Sequence, residues 1–97
     1  MTTFDFEEHI RLQQQIIYET VQTKPEPLTR FEIWARGSDK AMQIEMSPPF
    51  ELSDEAVEAI REMFIFSKKN GQNFKAMHLT FSETESKSWK MSSDYEY

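Results

Sequence analysis

Carboxylates are the most numerous reactive groups of this chain. Five crowd one short stretch, Glu51, Asp54, Glu55, Glu58 and Glu62, where Arg61 is the only base. Spacings of three and four put Glu55, Glu58 and Glu62 on one face of a helix, where like charges repel mildly. Catalysis of the glycosidase kind needs one carboxyl whose pKa is raised in an apolar pocket. Nothing in so polar a stretch supplies that pocket. A solvated helix face needs only exposure. So does an acidic stripe that docks a basic protein, because complementary fields steer association. Both of these readings stand.

The other reactive types are scarce. His9 and His78 are the two histidines, and neither has a partner at metal-ligand spacing. Surface or internally satisfied histidines are the expectation. The chain has no cysteine, which removes disulfides, thiolate nucleophiles and thiolate metal sites. Its two glycines, Gly37 and Gly71, fall at a turn and at a helix end, so no phosphate-binding loop is present. No G-x-S-x-G elbow occurs. No catalytic residue, metal site or cofactor is expected, and the chain reads as a non-enzyme.

Binding chemistry has better candidates. Trp34 alternates out of phase with Phe31 and Ile33, which places it on an open sheet face or over the hairpin edge. Aromatics on a polar face are candidate interface anchors. Trp89 shares a face with Met91 and reads as core. Tyr95 and Tyr97 interleave with Asp94 and Glu96 in an acidic tail, suited to a polar interface or to a frayed end.

The elements that must position these groups follow from periodicity and punctuation. Residues 5–22 predict a helix, with a capping-box spacing from Asp5 to Glu8 and with Phe4 and Ile10 flanking it. Phe6, Ile10, Ile17 and Val21 are its expected inward face, with Leu12 and Ile16 beside them. Pro25 and Pro27 end it. Residues 28–35 and 41–46 alternate around the turn from Arg36 to Lys40 and predict a hairpin, whose core face carries Phe31, Ile33, Ala35, Met42, Ile44 and Met46. Pro48 and Pro49 stop the second strand.

Ser53 caps a second helix, with Asp54 and Glu55 at its positive end. Its stripe is Val57, Ile60, Met63 and Phe64, and Lys68, Lys69 and Gly71 mark its end. Residues 74–82 and 88–95 alternate again, with Met77, Leu79, Phe81, Trp89, Met91 and Tyr95 inward, around a polar loop from Glu83 to Lys87. The order α-β-β-α-β-β predicts an α+β fold, an antiparallel sheet with two helices packed on one face.

The 97 residues carry 17 acids against 11 bases, a net charge of -6. A chain of this size buries roughly two-thirds of its unfolded surface, enough for one core, so residues 1–97 read as a single domain. The longest strongly apolar run, Met63 to Phe66, is far short of the ~20 residues of a membrane span. The first residues, MTTFDFEEH, show neither a basic nor an apolar leader region. A cytoplasmic protein is expected, with no membrane partner. The charge opposes contact with nucleic acid, whose binding rests on cations. The acidity is local: residues 51–66 hold five acids and one arginine, net -4, while residues 67–82 hold three lysines, net +3.

Several short motifs, in order, resemble the YezG-like immunity proteins, antitoxins of polymorphic and contact-dependent bacterial toxin systems. Lys69-Asn70-Gly71-Gln72 matches the family's ENGQ-like turn after a helix. Met77-His78-Leu79-Thr80-Phe81 matches its W-T-S-L-T-F-T-like strand, with Ala76-Met77 where the family has Trp-Thr. Ser93-Asp94-Tyr95-Glu96 matches the F-D-Y-E-like closing strand. Gly37-Ser38-Asp39 matches a G-S-D-E-like hairpin turn, with Lys40 where an acid is common. The match covers roughly residues 31–97.

The resemblance implies a cytosolic antitoxin that neutralises a toxin domain, commonly a nuclease, without catalysis. The expected toxin-binding residues are Trp34, Glu55, Glu58, Glu62, Asp94 and Glu96, whose carboxylates would stand in for substrate phosphates on a basic toxin surface. Two alternatives remain. One is a protein-interaction adaptor or regulatory module without a toxin partner. The other is a small-ligand or enzymatic domain, which would need a concave pocket with convergent polar groups.

Overall fold

The computed structural model describes residues 5–37, 40–72 and 74–97. The Phe4 flank of the first helix and the Ser38-Asp39 turn lie outside the described residues.

Helix α1 spans Phe6–Thr23. The Asp5 carboxylate caps it by accepting from the Glu8 N–H at 3.1 Å. Its buried stripe is Leu12, Ile16 and Thr20. The expected inward face is therefore corrected: Phe6 and Ile10 are 68% and 50% exposed. The helix carries two neighbouring apolar stripes. Packing over the sheet centres on the one at strict i, i+4 spacing, keeps Ile17 of the other against the margin of the core, and leaves Phe6 and Ile10 outside.

Strands β1 (Arg30–Gly37) and β2 (Met42–Ser47) form the first hairpin. Gly37 is required at its turn. Its φ is +117°, and a Cβ there would stand 2.1 Å from the Ala41 carbonyl oxygen.

Helix α2, Asp54–Lys69, is capped by the Ser53 hydroxyl, which accepts from the Ala56 N–H at 3.1 Å. It ends as its glycine predicts. Gly71 has φ +73° and donates its N–H to the Lys68 carbonyl, while Gln72 donates to that of Ser67. The buried Ser67 hydroxyl then accepts the N–H of buried Phe74 at 3.0 Å, tying the helix end to the next strand.

Strands β3 (Ala76–Glu83) and β4 (Trp89–Glu96) form the second hairpin. Its loop closes with the Thr84 N–H on the Ser88 carbonyl at 2.7 Å. Lys87 takes the left-handed conformation, φ 68°, that glycine usually fills in such loops.

All pairings are antiparallel and the sheet order is β2-β1-β3-β4. The two hairpins thus join through β1 and β3, setting Phe31 opposite Phe81, Ile33 opposite Leu79 and Ala35 opposite Met77. The Phe31 and Phe81 rings stack at 4.5 Å. These residues, with Leu12 and Ile16 of α1 and Ile60, Met63 and Phe64 of α2, make one core on one face of the sheet. The fold is α+β with both helices on that face, as the sequence predicts. Among the described residues, no helix is long and apolar enough to cross a membrane.

Candidate surface for a cationic partner

Because both helices cover the Phe31 face, the side chains of opposite phase stand on an uncovered face. Register alone brings four of them into one row across the sheet. Glu45 of β2 is opposite Trp34 of β1, Trp34 is opposite His78 of β3, and His78 is opposite Asp94 of β4. Directly opposed side chains on such a face have Cβ atoms about 5 Å apart.

The centre of the row is a stacked pair. The Trp34 and His78 rings lie 4.8 Å apart with an interplanar angle of 8°. His78 Nε2 also meets Glu32 Oε1 at 3.2 Å, so this histidine is satisfied by its neighbours, as expected for one of the pair. The adjoining row sets Arg36 opposite Ala76 and Ala76 opposite Glu96. Trp34, Arg36, His78, Asp94 and Glu96 together line a shallow cleft. The result is a half-buried aromatic platform with four carboxylates, Glu32, Glu45, Asp94 and Glu96, and one guanidinium around it.

Such a surface can hold a cationic side chain. A guanidinium or ammonium placed over an indole is attracted by the ring quadrupole. Flanking carboxylates accept its hydrogen bonds, and charge assistance makes those bonds the stronger kind.

The six residues expected to bind a toxin separate into two groups. Trp34, Asp94 and Glu96 gather on the open face. Glu55, Glu58 and Glu62 ride on α2, in the layer on the other side of the sheet. The stripe itself is divided. Glu55 and Glu58 are exposed, and Glu58 pairs with Arg61. Glu62 turns into the groove between the helices, beside Glu8, Ile65, Lys69 and Asn70. There Arg11 hydrogen-bonds Glu8 and holds its carboxyl below the usual range. A short run of the same charge in sequence is thus partly neutralised by bases from its own helix and from α1.

His9 lies on the helix side of the sheet, its ring 5.6 Å from that of Phe66 and 6.0 Å from that of Tyr95. Burial pushes its pKa down. The two histidines therefore occupy opposite faces. Among the described residues, no group of three or more histidines and carboxylates could hold a metal ion. Trp89 packs against the core and lies 5.6 Å from Phe31, as predicted.

Three contributors to the open-face platform, His78, Glu32 and Glu45, are not among the expected binding residues. Their phase was legible, since each alternates with core residues. That β3 inserts beside β1, and so delivers His78 to Trp34, was not. In comparisons with known proteins, no family model matches the chain, and no curated protein matches it.

Proposed function

We propose that this protein is an immunity protein. It binds a cationic toxin domain through the open sheet face and blocks it. The observation that carries this reading is the stacked Trp34–His78 pair, ringed by Glu32, Glu45, Asp94 and Glu96 on a face left bare by both helices. A central aromatic supplies the apolar anchor of an interface, while peripheral carboxylates steer and orient a basic partner. The net charge of -6 acts in the same direction at longer range. Carboxylates spaced along a sheet present negative charge as a phosphate backbone does, which supports a nuclease as the toxin. The motif resemblance to YezG-like immunity proteins supports the same reading, as does the chain's lack of a nucleophilic or phosphate-binding motif. On this reading the protein acts in the cytoplasm, without a cofactor.

The test pairs the protein with the product of its neighbouring gene. Growth of cells making that product should be restored by this protein. Restoration should fail when Glu32, Glu45 and Asp94 are together changed to lysine. It should survive when Glu55 and Glu58 are changed instead. Rescue lost with the α2 changes and kept with the sheet changes would move the binding surface to the helix. Binding without rescue would make the protein an adaptor.

A further inference from the structure

Strand β4 is an edge: among the described residues no strand lies beyond it in the order β2-β1-β3-β4. An open edge with free hydrogen-bonding groups is a template for another strand, and proteins usually protect it. The bond from the Thr84 N–H to the Ser88 carbonyl sets the phase of the ladder. Counting in twos along the register, Lys90, Ser92, Asp94 and Glu96 bond inward to β3. The N–H and C=O groups of Trp89, Met91, Ser93 and Tyr95 therefore point outward.

The charges along this strand are self-complementary. On the open face it reads Lys90, Ser92, Asp94, Glu96, basic at the start and acidic at the end, and all are exposed. An antiparallel copy brings unlike ends together. We propose that two copies of this chain associate through β4, joining two four-stranded sheets into one continuous sheet about a twofold axis at Ser93. In that register Lys90 faces Glu96 of the second copy, Met91 faces Tyr95, and Trp89 faces Tyr97. Ser93 faces its own equivalent, so outward-pointing groups meet outward-pointing groups. The Lys90–Glu96 ion pair occurs twice by symmetry.

The helix layer reinforces the match. Gln13 of α1 reaches Ser93 of β4 at 3.2 Å, so α1 lies over this strand. The second apolar stripe of α1 forms a flank on which Ile10 is exposed and Ile17 and Val21 are half-buried, Ile17 at the margin of the core. Ile17 and Val21 line an apolar cleft with Tyr18 and Trp89. A second copy brings its own flank to the same place and covers both. The other edge, β2, offers no such match, because Glu45 is its only charged open-face side chain. The β4 edge adjoins the face proposed for the toxin and shares Asp94 and Glu96 with it, but this inference rests on the hydrogen-bonding phase and charge order of the edge, not on that proposal.

Sedimentation equilibrium of the full chain, without any partner, tests it. The expected result is a reversible dimer of the 11.6 kDa chain. Lys90→Glu should weaken association about tenfold, since it sets like charges opposite each other at two symmetric positions. The double change Lys90→Glu with Glu96→Lys should restore it. Ile10→Glu, at a position 50% exposed and so harmless to the monomer, should weaken it independently. Circular dichroism would verify that each variant is folded. A monomer at every concentration overturns the proposal. So does a dimer indifferent to Lys90→Glu and Ile10→Glu, or a folded double variant that stays dissociated.

Discussion

Trp34 and His78 are stacked with their ring planes 8° from parallel, although 43 residues lie between them in sequence (78 − 34 − 1). The contact exists because β1 pairs with β3 rather than ending the sheet, and because both residues alternate out of phase with the core. It makes a rigid flat surface from two side chains that would otherwise be mobile. Glu32 holds the histidine edge, so the pair is braced from the side as well.

Trp34→Ala removes the larger half of that platform. The expected loss in partner affinity is about thirtyfold or more, as for a central aromatic anchor worth about 2 kcal/mol. The loss in fold stability should be near 1 kcal/mol, since Trp34 is only half-buried and lies outside the core. Calorimetric titration with the partner and thermal unfolding of the free protein measure the two effects separately. A stability loss that rivals the affinity loss would make Trp34 a structural residue.

Ser67→Ala should destabilise the fold by about 2 kcal/mol, because it leaves the buried Phe74 N–H without its acceptor. Ser67→Thr keeps the hydroxyl and serves as the control for the deleted bond. Urea unfolding of the three proteins gives the comparison, with an unchanged m-value expected.

Lys87→Gly should stabilise the β3–β4 loop by about 1 kcal/mol, the cost of holding a side-chain-bearing residue at φ 68°. In a domain of this size that corresponds to a rise in Tm of about 5 °C. No rise on calorimetry would mean that the unfolded-state entropy of glycine offsets the relief of strain.

His9 links stability to pH. Burial lowers its pKa in the folded state below the ordinary histidine value of 6.5. The unfolded chain therefore takes up the proton first on acidification. The stability held by neutral His9 is present above about pH 6.5 and falls as pH drops through the lowered folded value. Tm should fall from pH 7.5 to pH 5.5, and His9→Gln should flatten that slope. The Glu8 carboxyl, whose pKa is lowered by its hydrogen bond from Arg11, contributes only in the more acid range below the ordinary carboxyl value of 4.5. The wild-type slope persisting in His9→Gln would assign it to other groups.

Much of the fold is legible in the residues because its signals are local. Ser53 and Asp5 mark helix starts by a hydroxyl and a carboxylate that must accept early N–H groups, and both do so. Gly71 marks a helix end by the left-handed turn it permits. Alternation alone separates Phe31, Ile33 and Ala35 from Trp34, and places His78 away from Leu79. The inward face of α1 is not legible in the same way. Two apolar stripes sit side by side on that helix, and no local rule ranks Leu12 and Ile16 over Phe6 and Ile10. Only the sheet and α2, pressing on one side, make that choice.

The binding surface shows the same division. By itself the sequence determined the phase of each strand and the composition of its outer face: Glu32, Trp34, Glu45, His78, Asp94 and Glu96 all fall out of step with core residues. It did not determine that these six share one surface, nor that Glu55, Glu58 and Glu62 lie in the opposite layer. Strand phase is a property of neighbouring residues, set by sterics within a few bonds. Strand order depends on which distant hairpins bury the most apolar surface together, and Phe31 against Phe81 is where that choice was made. The tertiary structure thus decided where the acidity is useful.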